Sequence, residues 1–169
     1  MSPRAAGEIS PLEAAVPRGQ EMPPIGLPCL DMVLLCEPSR VRVARQACTA
    51  WARRHCRLPE PQVGVLELVV SELCTNAVLH GRGEEFAVRG RMPTHRAVRL
   101  EVHDHTPSAI PVPQDADAEA VSGRGLFLVD ALVSELKGEW GFSPDGSVAW
   151  CQVPTVLLCF DATVEKTDA

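Results

Sequence analysis

A chain of 169 residues, 46% hydrophobic and 22% charged, has the length and composition of one globular domain, which buries about two thirds of its unfolded surface. Its net charge of −6, with arginines scattered among acids, excludes the basic stripe of a direct nucleic-acid interface. No apolar run of about 18 residues reads as a membrane span. The start, Met1-Ser2-Pro3-Arg4, lacks the apolar core of a secretory signal, so the expected compartment is the cytoplasm.

Residues 1–27 are rich in Pro, Gly and Ala without apolar periodicity and read as a flexible tail. The domain proper is expected over 28–154, followed by a C-terminal tail over 155–169. Leu30–Cys36 is a short apolar strand stopped by Glu37-Pro38. Ser39 then suits an N-cap for a helix to about Cys56, with Val43, Ala47 and Trp51 as its apolar stripe. Pro59 and Pro61 break that helix and open another, reaching His80. Its apolar residues (Val65, Leu66, Leu68, Val69, Val70, Leu73, Ala77, Val78, Leu79) occur almost all round, which predicts burial on every side.

Gly81 and Gly83 end the helix, and two period-two segments follow. Phe86 and Val88 lie in the first, and Val98, Leu100 and Val102 in the second, with a turn expected at Met92-Pro93-Thr94. From His105 to Ser122 the chain reads as a loop carrying Asp115, Asp117 and Glu119. A helix then follows Gly123-Arg124-Gly125, with Leu126, Val129 and Leu132/Val133 at helical spacing. The last strands, Glu139–Ser143 and Ser147–Val153, meet at Pro144-Asp145-Gly146, a hairpin signal. These elements predict an α+β fold, a two-layer α/β sandwich with helices on one face of a mixed, mostly antiparallel sheet. The apolar run 156–160 reads as a docking segment or a final edge strand.

Seven cysteines, an odd number without a Cys-x-x-Cys pair, argue against a metal or disulfide framework. Cys48, Cys74 and Cys151 have the apolar neighbours of small buried hydrophobes.

Glu72 and Asn76 sit one helical turn and about 40° apart. Polar groups on a largely buried helix are costly unless they face a cavity or a ligand. An Asn oxygen suits Mg²⁺, and a neighbouring Glu suits a general base; a hydrogen-bonded pair closing the helix end is the structural alternative. Asp104 ends a strand, where a carboxylate can accept from an amino group such as adenine's or simply form a turn. Gly123-Arg124-Gly125 opens a helix, where backbone N–H groups and the Arg124 guanidinium can meet phosphate. It is not a Walker A loop.

Taken in order, Glu72-x-x-x-Asn76-Ala77-x-x-His80-Gly81, Asp104 and Gly123-Arg124-Gly125-Leu126 resemble the N box and the two glycine boxes of Bergerat-fold (GHKL) ATPases. The chain is most similar to their anti-sigma-factor serine/threonine kinase branch, over about Leu30–Val153. The resemblance implies ATP and Mg²⁺ as ligands, Glu72 as catalytic base and Asn76 as the Mg²⁺ ligand. It gives Asp104 the adenine amino group, and Gly123 and Gly125, with Arg124, the phosphates. It also implies a sigma factor and an anti-sigma-factor antagonist as partners, with a homodimer possible. Where Asp-x-Gly-x-Gly is usual, this chain has Asp104-His105-Thr106-Pro107-Ser108, so the loop near the adenine must be built differently. The alternative function is a module that binds ATP without using it, or sequesters a partner without nucleotide.

Overall fold

Alternating burial along the strands shows which face of the sheet meets the helices. The computed structural model describes residues 26–107 and 124–155. Along them run β1 (Cys29–Leu35), α1 (Pro38–Arg54), α2 (Glu60–His80), β2 (Glu85–Thr94), β3 (Ala97–His103), α3 (Arg124–Glu135), β4 (Glu139–Phe142) and β5 (Val148–Pro154). Most of the two tails, the acidic loop, Gly123 and the 156–160 run lie outside the described residues.

The strands form one sheet in the order β1-β2-β3-β5-β4. Every described pairing is antiparallel, so the expected mixed sheet is corrected to an antiparallel one. The reason is topological. The crossover through α3 delivers β4 beyond β3, and the tight β4–β5 hairpin then folds β5 back between them. Val98, Leu100 and Val102 of β3, with Phe86 and Val88 of β2 and Cys151 and Val153 of β5, join the three helices in one core. This is the two-layer α+β sandwich that the period-two segments predict.

Local details differ from the sequence expectations. Glu37, in extended conformation, occupies the N-cap of α1, Pro38 opens the helix, and Ser39 lies inside the first turn. The buried stripe of α1 is Ala44, Cys48, Thr49, Trp51 and Ala52, while Val43 is 41% exposed. The Trp51 ring sets this rotation. A Cβ placed on Gly90 would lie 2.8 Å from the ring, so the indole fills the space above β2 that a side chain would take. Met92-Pro93-Thr94 is strand, with a register irregularity between Arg91 and Thr94, and the chain reverses at His95-Arg96.

Helix α2 buries Gln62, Val63, Leu66, Val69, Val70, Leu73, Cys74 and Ala77, but Leu68 and Leu79 are 49% and 66% exposed. It is therefore not buried on all sides. Its flanks meet α1 and α3, and only its outermost strip reaches solvent. By length and composition alone α2 could cross a membrane, contrary to the sequence expectation. Its apolar excess is accounted for by the packing of one side on the sheet and of both flanks on helices.

The described cysteines are all free, and Cys48, Cys74 and Cys151 are buried in the core. Burial pushes the Cys48 and Cys151 thiols up to about 12, so they pack as neutral apolar groups.

The face of β3 turned away from the helices carries Arg99, Glu101 and His103. Glu101 Oε1 accepts from Arg99 Nε at 2.7 Å and from an Arg91 guanidinium nitrogen at 3.0 Å, and Oε2 lies 3.2 Å from His103 Nε2. Arg99 also stacks 4.1 Å from the Trp150 ring centroid, across the register partner of Glu101. The His103 hydrogen bond, then the Arg99 bond and the two arginine charges, outweigh desolvation and hold Glu101 down at about 2. A carboxyl depressed in the folded state stabilises above its unfolded value near 4.5, and that stabilisation is lost as pH falls toward about 2. Glu101→Gln should therefore remove on the order of 2 kcal/mol near neutral pH. Denaturant unfolding across pH should show the wild-type advantage shrinking below pH ~4.5; a constant gap down to pH ~2 contradicts the linkage.

Candidate functional site

Helix α2 ends beside Asp104, just past β3, and its C-terminal half carries the polar residues singled out by sequence. Glu72 and Asn76 follow each other on one flank, both half-buried, beside the fully buried Leu73 and Ala77. Among the described residues neither makes a side-chain hydrogen bond to the other, so they are not a self-satisfied pair.

At the Glu72 end stands the start of α3. A Cβ built on Gly125 would collide with Glu72 Oε2, so the carboxylate rests against the bare Cα of Gly125. Glycine here makes room for an acidic side chain at a helix N-terminus, where the partial positive charge favours an anion. Arg124, exposed, is the first residue of α3 and already has an interaction of its own. Gly123 lies outside the described residues, so no position is given to it.

At the C-terminal end of α2, nine residues and about 14 Å further along the helix axis, Gly81 meets Asp104. A Cβ on Gly81 would strike the Ala77 carbonyl oxygen and lie 3.3 Å from the Asp104 Cβ. Asp104 follows β3 directly; its N–H donates to the Ser147 carbonyl at 3.1 Å, which ties it to the β4–β5 hairpin. That hairpin is itself knotted. Asp145 Oδ1 accepts from the Ser143 hydroxyl at 2.6 Å and from the Ser147 N–H at 3.1 Å, and Gly146 takes φ +74°. These bonds hold the Asp145 carboxyl at about 2, the Ser143 bond first.

The loop after Asp104 closes without glycine. His105 adopts the left-handed conformation at φ +57°, and the Thr106 N–H donates to Asp104 Oδ1 at 2.8 Å, an Asx turn. The Thr106 hydroxyl accepts from the Arg82 N–H at 2.9 Å, which joins this turn to the end of α2. Cys36, just past β1, borders the same edge; burial raises its thiol pKa, and the charges of Asp104 and Glu85 raise it further. Sequence reasoning assigned Thr106 and Ser147 no part in the site. A threonine two residues after a strand-end aspartate is a turn signal that could have flagged Thr106. Ser147 acts through its backbone carbonyl, which leaves no trace in residue type.

The structure thus brings Glu72 to Gly125 near the middle of α2 and Asp104 to Gly81 at its C-terminal end, with Asn76 between. An elongated ligand with an amino-bearing ring at Asp104 and anionic groups at the start of α3 matches this order of chemistry. For the metal implied by sequence, the donor set fits one role. Among the described residues no cluster of three or more His, Cys, Asp or Glu could cage a cation. A neutral Asn oxygen suits Mg²⁺ that takes its remaining ligands from phosphate and water.

The fold and the spacing of this site define an ATPase-type nucleotide-binding domain. Residues 35–152, more than two thirds of the chain, match the family described as the histidine kinase-like ATPase domain, and the chain belongs to that family. The match encloses Glu72, Asn76, Asp104, Gly123, Arg124 and Gly125. Among curated proteins none matches the chain.

Gly125→Ala tests the contact between α3 and Glu72. Alanine gains up to about 1 kcal/mol of helix propensity, so the variant should melt no lower than wild type. Its methyl group should displace the Glu72 carboxylate and, on the role of base that the resemblance implies for Glu72, slow ATP turnover by about 10²-fold. Wild-type turnover in a normally folded variant contradicts the importance of that contact.

Proposed function

We propose that this chain is an ATP-binding regulatory serine/threonine protein kinase of the anti-sigma-factor type, acting in the cytoplasm and controlling transcription through a partner. The observation that carries the reading is the seating of Glu72 against Gly125 at the start of α3. It supports the reading because a carboxylate beside the start of α3 is near a helix N-terminus that favours phosphate and could take a proton from an attacking hydroxyl. In the reaction, the hydroxyl oxygen of a Ser or Thr on an antagonist protein attacks the γ-phosphorus of ATP. The hydroxyl proton passes to Glu72, and the bond to the β-phosphate oxygen breaks to release ADP. Backbone N–H groups of Gly123 to Gly125 and the Arg124 guanidinium receive the phosphates, and Asp104 accepts from the adenine amino group. Bound Mg²⁺, held by Asn76, would neutralise phosphate charge.

A sigma factor is the second partner in this reading, and phosphorylation of the antagonist switches partner choice. A homodimer is compatible with it; direct nucleic-acid or membrane binding is not part of it.

The two residues on α2 should separate cleanly. Glu72→Ala should retain ATP affinity and lose about 10²–10⁴ in transfer rate, because a base acts only as the hydroxyl gives up its proton. Asn76→Ala should weaken Mg²⁺–ATP binding itself and leave binding in EDTA unchanged. The assay incubates labelled ATP with each variant and candidate antagonists from the same genome, with calorimetry for affinity. Transfer at the wild-type rate by Glu72→Ala would remove its catalytic role. A wild type that labels no acceptor but captures a sigma factor would make the chain a binding module instead.

A further inference from the structure

Thr106 is one of three buried polar or charged residues among those described, at 8% exposed, and its polar atoms converge on Asp104. Its N–H donates to Asp104 Oδ1 at 2.8 Å, and its hydroxyl donates to the Asp104 carbonyl at 3.2 Å while accepting from the Arg82 N–H at 2.9 Å. Ser147 holds the Asp104 N–H from the opposite side. The bare Cα of Gly81 lets the Asp104 side chain lie close against the end of α2, where an added Cβ would come within 3.3 Å of the Asp104 Cβ. The backbone of Asp104 and one of its carboxylate oxygens are therefore fixed. Among the described residues Oδ2 accepts no hydrogen bond, so it keeps its capacity to accept one from a ligand.

The conformation this turn needs is usually supplied by glycine; here His105 takes it, at φ +57°. A residue with a side chain adopts that conformation only when its surroundings over-determine it. The Thr106 hydroxyl, bridging α2 and the turn, is the group placed to do so.

We propose that Thr106 is a positioning residue for nucleotide selectivity, orienting Asp104 so that Oδ2 accepts a hydrogen bond from the exocyclic amino group of adenine. The inference rests on the nucleotide reading above and adds a residue through which the purine is told apart. Thr106 does not touch the nucleotide in this account; it acts through Asp104.

The test compares the binding of ATP and of purine riboside triphosphate, which lacks the amino group, by calorimetry. Wild type should prefer ATP by about ten- to a hundredfold, the range of a hydrogen bond to a charged acceptor. Thr106→Val, nearly isosteric, should reduce that preference to about threefold or less while binding the analogue as wild type does. Thr106→Ser, which keeps the hydroxyl, should retain the wild-type preference. Should valine fail to fold by circular dichroism, Thr106→Cys, with its much weaker hydrogen bonding, takes its place. A valine or cysteine variant with undiminished preference overturns the positioning role while leaving Asp104 on the adenine. A serine variant that loses the preference also overturns it. Wild type without preference overturns both assignments, a result distinct from the other two.

Discussion

Helix α2 buries Val63, Leu66, Val69, Val70, Leu73 and Ala77 in the core it shares with the sheet and the neighbouring helices, and that burial fixes how the helix is turned. Each large apolar side chain so buried contributes about 1.5–3 kcal/mol, so a rotation by one residue would forfeit several such terms at once. Fixed rotation places Glu72 and Asn76 at the border of the buried face, next to Leu73 and Ala77, where they are half-covered yet reach an edge. Two glycines then matter for the same reason. Gly125 lets α3 approach the Glu72 carboxylate, and Gly81 lets Asp104 approach the helix end.

The sheet supplies the other half of the frame. Because β5 folds back between β3 and β4, the Ser147 carbonyl lies beside Asp104 and the β4–β5 turn borders the same edge. On the far face, the Glu101 cluster joins β2 and β3, and the Arg99–Trp150 stack extends it to β5. That network lies on the face of the sheet opposite the helices and cross-links the strands that carry Asp104 and Ser147 at their ends.

Much of this was legible in the sequence. Alternation in Val98-Arg99-Leu100-Glu101-Val102 gave β3 and its inward face, Asp145-Gly146 gave the last hairpin, and Leu126, Val129 and Val133 gave the buried side of α3. The order of Glu72, Asn76, Asp104 and Gly125 along the chain pointed to a candidate site, and the structure brings Glu72 beside Gly125 and Asp104 beside the end of α2. What escaped was tertiary in origin. The rotation of α1 depends on Trp51 finding the bare surface of Gly90, a contact between residues far apart in sequence. The exposed strip of α2 depends on how far α1 and α3 wrap it, which its own periodicity does not report. Gly125 could be read as a phosphate cradle, but its role toward Glu72 emerges only when α2 and α3 are side by side.

The central claim is that one nucleotide lies along α2, its purine at Asp104 and its phosphates at the start of α3. A structure of the chain with Mg²⁺ and a non-hydrolysable ATP analogue tests it most directly. The account predicts the adenine amino group within hydrogen-bond distance of Asp104 Oδ2, the terminal phosphate between Gly125 and Glu72, and the metal on the Asn76 oxygen. A nucleotide bound in the reverse direction, or away from α2, would contradict it.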